Sequence, residues 1–139
     1  MHFVNPDQPL SESDIQTVER NLDLEFPAEL RELFLKHNGA EPEPYVLEND
    51  ELRISTVVSR TLPLLSMTGN GTAVQSYHRL VTQMQLTPHN YFPFAVDGGG
   101  DYFMIDCISG VVSFLKSDPV QLIKLGVGLS GFWDLLKDD

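Results

Sequence analysis

The chain has 139 residues, of which 42% are hydrophobic and 21% are charged, a composition typical of one globular domain that buries its own core. Nine Lys and Arg against twenty Asp and Glu give a formal net charge of -11, which disfavours direct binding to nucleic acid or to anionic lipid. No apolar run approaches the roughly 20 residues that cross a bilayer, and the first residues do not resemble a secretory signal, so we expect a cytoplasmic protein.

The acidic residues are concentrated at the amino-terminal end. Residues 1 to 51 hold thirteen acids and three bases, residues 52 to 96 hold three arginines and no acid, and the remainder holds seven acids and three lysines. Two interpretations stay open. The acidic end is either a solvated surface that aids solubility or a face that attracts a basic protein partner.

Two amphipathic helices are predicted before residue 40. Ser11 has the position of an N-cap, and it precedes acidic residues and an apolar stripe. A second helix is predicted to begin with Pro27 at its first position and to end at Asn38-Gly39, where glycine favours a left-handed cap. The apolar positions that define the two stripes are Ile15, Val18 and Leu22 in the first helix and Leu30, Leu33 and Phe34 in the second.

The sequence pattern in the middle of the chain predicts short strands and one longer helix. Two prolines make residues 41 to 44 an extended or looped acidic segment that is exposed to solvent. Strands are predicted near residues 45 to 47 and 53 to 58, and a helix at residues 73 to 84. A closing strand and helix are predicted at residues 120 to 125 and 129 to 136.

Residues 91 to 116 carry the strongest β signal. Residues 102 to 108 and 111 to 115 are rich in β-branched and aromatic residues, and Ser109-Gly110 predicts a two-residue hairpin turn between them. This hairpin is predicted to form the centre of the sheet. Three glycines precede it, Gly98, Gly99 and Gly100, and they allow positive φ or a close approach of another segment.

No catalytic, metal or cofactor motif is convincing. Residues 126 to 131 match the GxGxxG pattern, but too little chain follows for a dinucleotide fold. The four histidines are scattered, so no zinc site is predicted. Asp97, Asp101 and Asp106 do not have the spacing of a calcium loop, and turn formation is favoured over partner contact and catalysis. Cys107, in an apolar strand, is interpreted as a buried small hydrophobe.

The order of these features resembles the SUKH superfamily, also called the Smi/Knr family. The amino-terminal signature runs from Ile15 to Gly39, the second is FPFAVDGGGDYFMID at residues 92 to 106 followed by Gly110-Val111-Val112, and the third is residues 132 to 136. The match spans nearly the whole chain. Asp23 and Ala40 stand where that family often has glycine.

The resemblance implies an α+β fold, with a central antiparallel sheet flanked by helices, as a single domain over residues 1 to 139. It also implies the absence of an active site and of a cofactor. Many bacterial members of that family are immunity proteins that neutralise a toxin, often a nuclease, whereas fungal relatives are regulatory interaction modules of cell-wall assembly. The leading hypothesis is therefore a non-enzymatic immunity protein, and the alternative is a regulatory scaffold that is not tied to a toxin.

The acidic face supplies the candidate contact residues. An acidic protein associates quickly with a basic toxin surface, so a basic toxin domain is the expected partner, while the oligomeric state stays open. The residues predicted to contact the partner are Glu41, Glu43, Glu48, Asp50, Glu51, Asp97 and Asp101. The residues predicted to hold structural motifs are Pro27, Asn38, Gly39, Gly98, Gly99, Gly100, Asp106 and Gly110.

Overall fold

The computed structural model describes all 139 residues. The eight strands are β1 (His2–Val4), β2 (Glu41–Glu43), β3 (Val46–Asn49), β4 (Ile54–Thr61), β5 (Tyr91–Asp97), β6 (Tyr102–Asp106), β7 (Val112–Ser117) and β8 (Val120–Lys124). The helices are α1 (Glu12–Leu22), α2 (Ala28–His37), α3 (Ala73–Tyr77) and α4 (Leu129–Asp134), and α3 continues as a π-helix over His78–Gln83.

The strands form two antiparallel sheets. The larger sheet has six strands in the order β3-β4-β5-β6-β7-β8, so every strand lies beside its neighbours in the chain. The smaller sheet pairs β1 with β2 and brings the amino terminus against the acidic segment. The predicted α+β class with an antiparallel sheet and helices is confirmed.

The helices cover the sheet through aromatic contacts. In α2, Phe34 meets Phe92 of β5 with ring centroids 6.2 Å apart, and Tyr77 of α3 stacks on the same ring at 5.5 Å. In α4, Phe132 meets Phe103 of β6 at 5.0 Å. All five rings belong to one cluster of 29 buried apolar residues, and this cluster joins helices from both ends of the chain.

The predicted helix boundaries are largely confirmed. Ser11 caps α1 with a complete capping box, in which its hydroxyl accepts the N–H of Asp14. Asp23 ends α1 with φ of 54°, a left-handed conformation that glycine adopts most readily. The prediction that Pro27 is the first residue of the second helix is wrong by one position. Pro27 has ψ of 152° and is the N-cap, and α2 begins at Ala28.

The predicted left-handed end of α2 is also confirmed. Gly39 has φ of 69°, and a Cβ atom there would lie 2.9 Å from the Cβ of Asp7 and 3.0 Å from that of Pro63. Both the backbone conformation and the close approach therefore require glycine at this position.

Two predictions about the β region need correction. The β6–β7 connection is not a two-residue turn, because β6 ends at Asp106 and β7 begins at Val112. The Asp106 carboxylate accepts the N–H of Ile108 and the hydroxyl of Ser109, which holds a wider loop, and Gly110 supplies the left-handed residue with φ of 79°. The centre of the sheet is β5 and β6, with β7 one strand from the edge.

Two further elements differ from expectation. The predicted helix at residues 73 to 84 has regular geometry only over Ala73–Tyr77, and its second half is π-helical. The acidic segment at residues 41 to 44 is extended as predicted, but it forms β2 because it pairs with β1, and Pro42 is buried in that pairing.

Candidate functional site

A shallow hollow of about 340 Å³ lies where β1, β2 and β4 meet. Its residues come from the amino-terminal strand, the acidic segment and the outer part of the large sheet. They are Val4, Asn5, Glu41, Pro42, Glu43, Tyr45, Val57, Val58 and Ser59. We call this hollow the β2 hollow.

The β2 hollow combines negative charge with exposed apolar surface. Glu41 accepts a hydrogen bond from the Asn5 amide at 2.6 Å, whereas Glu43 is exposed and makes no ion pair. Tyr45 is 42% exposed and Val57 is 36% exposed. A lysine or arginine side chain can lay its aliphatic stem on such apolar surface while its charged end meets the carboxylates.

The other predicted acids of this region continue along β3. Glu48 is exposed and pairs with Lys137 at 3.1 Å, an arrangement that partly neutralises it. Asp50 and Glu51 are exposed in the β3–β4 turn and make no ion pair. The structure thus brings Glu41 and Glu43 together in one hollow and places Asp50 and Glu51 beyond the far end of β3.

Asp97 and Asp101 line a different hollow, of about 210 Å³, together with Arg53 and Lys116. The Asp97 carboxylate is 7% exposed and is occupied by the fold. One of its oxygens accepts the N–H groups of Gly99 at 3.0 Å and Asp101 at 2.7 Å. The other accepts the Thr56 hydroxyl at 2.8 Å, so Asp97 shapes the β5–β6 turn.

The glycine turn contacts Val57, one of the residues that line the β2 hollow. Gly98 donates its N–H to the Val57 carbonyl at 3.1 Å, and a Cβ atom at Gly98 would lie 2.8 Å from Val57 Cγ2. Gly99 and Gly100 are exposed, and Gly100 has φ of 92°. The glycines therefore let the turn close tightly over β4 and fix the position of Val57.

The glycine-rich segment before α4 has a structural role. Gly128 is the N-cap of α4, and the Glu29 carboxylate accepts the N–H of Leu129 at 3.2 Å and the hydroxyl of Ser130 at 3.0 Å. A carboxylate of α2 thus fills the place where a nucleotide phosphate would bind in a dinucleotide fold.

A groove of about 260 Å³ between α2 and α4 is partly filled by the amino-terminal strand. Phe3 of β1 stacks on His37 at 4.3 Å and meets Trp133 edge-on at 5.1 Å. Burial and the neighbouring Lys36 lower the pKa of His37, which favours the neutral form of the ring in this contact. The groove serves to attach β1 to the helices.

The arrangement of the His, Cys, Asp and Glu side chains bears on metal and thiol chemistry. No three His, Cys, Asp or Glu side chains converge as metal ligands. Burial raises the pKa of the Cys107 thiol to about 12, and the nearby Asp106 adds to this effect. Such a thiol carries almost no thiolate near neutral pH and is a poor nucleophile.

Sequence reasoning missed the apolar half of the β2 hollow. Tyr45 directly follows the acidic segment, and the alternation of polar and apolar residues in β4 predicts one exposed face, so both signals were present. The contributions of Val4 and Asn5 were not detectable, because a three-residue strand that pairs with a segment nearly 40 residues away has no local pattern.

The fold and the site together define the class of this protein. It is an α+β protein whose β2 hollow is acidic and partly apolar. The chain belongs to the SMI1/KNR4 family (SUKH-1), whose family model matches residues 9–132. A search of curated proteins finds no significant match. None of the helices combines the length and the apolar character needed to span a membrane.

Proposed function

We propose that this protein is a non-enzymatic immunity protein, which binds a cognate toxin of the nuclease class and occludes its basic surface. The observation that carries the proposal is the β2 hollow, where the carboxylates of Glu41 and Glu43 flank the exposed side chains of Tyr45 and Val57. Family membership supports a role in protein interaction.

The physical basis is electrostatic attraction followed by apolar contact. Nuclease toxins carry basic surfaces that bind phosphates, and a net charge of -11 speeds their encounter with this protein. Charged rims alone contribute little affinity, whereas an aromatic anchor at the centre of an interface contributes much more. Tyr45 supplies that aromatic anchor beside Val57, and Glu41 and Glu43 supply the negative rim. Asp50, Glu51 and Asp101 lie outside the β2 hollow and add to the long-range attraction.

The first experiment is affinity capture from the native host at low and moderate salt. Recovery of a basic toxin-like protein in near-equal amount, with association slowed by salt, supports immunity. Recovery of only a housekeeping complex would favour the regulatory scaffold. If the toxin is captured but the host gains no protection from it, immunity is wrong.

Two charge-reversed double variants then test whether the β2 hollow binds the toxin. Glu41→Lys with Glu43→Lys should weaken toxin binding by on the order of tenfold or more, because like charges then meet across the interface. Glu25→Lys with Asp134→Lys changes the net charge equally at exposed acids outside the β2 hollow. Equal weakening by both pairs would show that net charge, and not this face, governs binding.

A further inference from the structure

The chain contains two Asn-Gly dipeptides, and the fold surrounds them differently. They are Asn38-Gly39 at the end of α2 and Asn70-Gly71 in the loop between β4 and α3. Asparagine is chemically labile, and most of all before glycine, because glycine has no side chain to shield its backbone nitrogen from the asparagine amide carbon. The same reactive pair therefore occurs in two environments of one protein.

The amide of Asn38 is held on all sides. It is buried, its oxygen accepts the N–H of Leu64, and its nitrogen donates to the carbonyls of Gln8 and Leu65. The amide carbon cannot turn toward the Gly39 nitrogen unless these hydrogen bonds break. The fold thus protects the first dipeptide.

The amide of Asn70 is free. Asn70 is exposed, and its one hydrogen bond is made by its backbone N–H, which donates to the Thr68 hydroxyl at 3.3 Å. The N–H of Gly71 donates to no acceptor in the chain. Both the amide carbon of Asn70 and the nitrogen that can attack it are therefore available.

The Gln75 side chain holds the loop on both sides of this dipeptide. Its amide nitrogen donates to the Gly69 carbonyl, and its oxygen accepts the N–H of Thr72 at 3.3 Å. The flanking residues are thus fixed by hydrogen bonds, and Asn70-Gly71 forms the part of the loop between them that this side chain does not bind.

A guanidinium borders the second dipeptide. The Nη2 atom of Arg60 lies 3.1 Å from the position that a Cβ atom would occupy at Gly71, and the Arg60 side chain makes no ion pair. A cation at this position stabilises the negative charge that develops on the Gly71 nitrogen and on the Asn70 side-chain oxygen during attack. Arg60 therefore favours the reaction.

We propose that Asn70 is a site of spontaneous deamidation, assisted by the Arg60 guanidinium. The Gly71 nitrogen gives up its proton and forms a bond to the side-chain carbonyl carbon of Asn70. The bond from that carbon to the amide nitrogen breaks, and the nitrogen takes up a proton and leaves as ammonia. Water then opens the resulting succinimide ring at either carbonyl to give aspartate or isoaspartate. The net reaction consumes water and releases ammonia in equal amounts.

The products change both the charge and the backbone of the loop. Either product places a carboxylate near the unpaired Arg60, in the stretch from residue 52 to 96 that otherwise has no acid. Isoaspartate also adds a methylene to the backbone between Gly69 and Thr72, both of which are held by Gln75. Formation of isoaspartate should therefore loosen the capping box of α3.

Peptide mapping of the aged full-length chain tests the site. The protein is incubated in mildly alkaline buffer and digested at mildly acidic pH, where the reaction is slow. Mass spectrometry then follows both dipeptides, and methylation by a protein isoaspartate methyltransferase detects isoaspartate. Asn70 should deamidate on the order of a hundredfold or more faster than Asn38, because the segment around Asn38 must first open.

Unfolding in urea provides the internal control. Both asparagines precede glycine, so the two sites should react at similar rates once the chain is unfolded. Equal rates at Asn38 and Asn70 in the folded protein, or an unreactive Asn70, would overturn the proposal.

Two variants of Arg60 test the role of the cation. Arg60→Gln should slow deamidation of Asn70 severalfold in the folded protein, and Arg60→Lys should restore most of the rate. Neither variant should change the rate in urea, where the contact is lost. Arg53→Gln removes the same charge at a residue that lines the hollow beside Asp97, and it should leave the rate unchanged. An unaltered rate in Arg60→Gln would overturn the role of Arg60.

Discussion

The side-chain oxygen of Asn38 accepts the N–H of Leu64 at 2.7 Å. The side-chain nitrogen of Asn38 donates to the carbonyls of Gln8 at 2.9 Å and Leu65 at 3.1 Å. One buried amide, 4% exposed, thus joins the end of α2 to the amino-terminal segment and to the segment after β4.

Asn38→Ala should therefore lower the free energy of unfolding by about 2–4 kcal/mol, because it leaves buried backbone groups without partners. Urea unfolding followed by circular dichroism measures this change. Asn21→Ala on the exposed face of α1 is the matched control and should change stability by less than about 0.5 kcal/mol. Similar values for the two variants would show that the Asn38 bonds contribute nothing specific.

A second prediction concerns the contribution of Asp97 to stability through the β5–β6 turn. Asp97→Ala should lower stability by about 1–3 kcal/mol, because the N–H groups of Gly99 and Asp101 and the Thr56 hydroxyl lose their acceptor. Asp97→Asn should cost less, since its oxygen keeps the two N–H groups and its amide can donate to Thr56. Thermal unfolding of both variants checks this, and an asparagine variant as unstable as the alanine variant would contradict it.

A third prediction concerns the contribution of Asp106 to the pH dependence of stability. Burial opposes its ionisation, but hydrogen bonds from Ile108, Asn90 and Ser109 outweigh burial and lower the pKa of Asp106. A carboxyl whose folded pKa lies below its unfolded value stabilises the fold fully above about pH 5 and loses this contribution as the pH falls below about 4.

Asp106→Asn should accordingly lose less stability than the wild type when urea midpoints are compared at about pH 6 and about pH 3. The comparison within each protein removes any constant effect of the substitution. Parallel losses in the two proteins would mean that other carboxyls account for the acid sensitivity.

A fourth prediction concerns the reactivity of the Cys107 thiol. With its pKa raised to about 12, the folded thiol should react with a disulfide reagent on the order of a hundredfold or more slowly than the unfolded chain at about pH 8. Absorbance of the released thiolate measures both rates, and Cys107→Ser supplies the blank. Equal rates in buffer and in urea would show that the thiol is not protected.

The sequence predicted most of this architecture because its signals were local. The caps at Ser11 and Gly39 and the strand composition of residues 102 to 108 each depend on neighbouring residues. Each was placed within two positions, since β6 ends at Asp106. The family signatures then supplied the arrangement of the sheet.

The features that the sequence did not predict depend on contacts between side chains and segments that are not described by a local pattern. The β6–β7 loop is wider than the Ser109-Gly110 dipeptide indicates, because the Asp106 side chain competes with the ladder for N–H groups. The π-helical second half of α3 has no signal in apolar spacing. The division of the predicted acids between two hollows depends on how β2 and the glycine turn lie against β4.

The antiparallel backbone bridge that pairs Val46 of β3 with Lys137 has a consequence for biosynthesis. Strands β3 to β8 can add to the sheet in the order in which a ribosome makes them, since each pairs with its predecessor. The outer side of β3, by contrast, stays open until nearly all of the remaining chain has been made. During that interval, which lasts from the synthesis of β3 to that of Lys137, the nascent protein exposes strand edges on both sides. The translation speed over these residues sets how long those edges are open to aggregation.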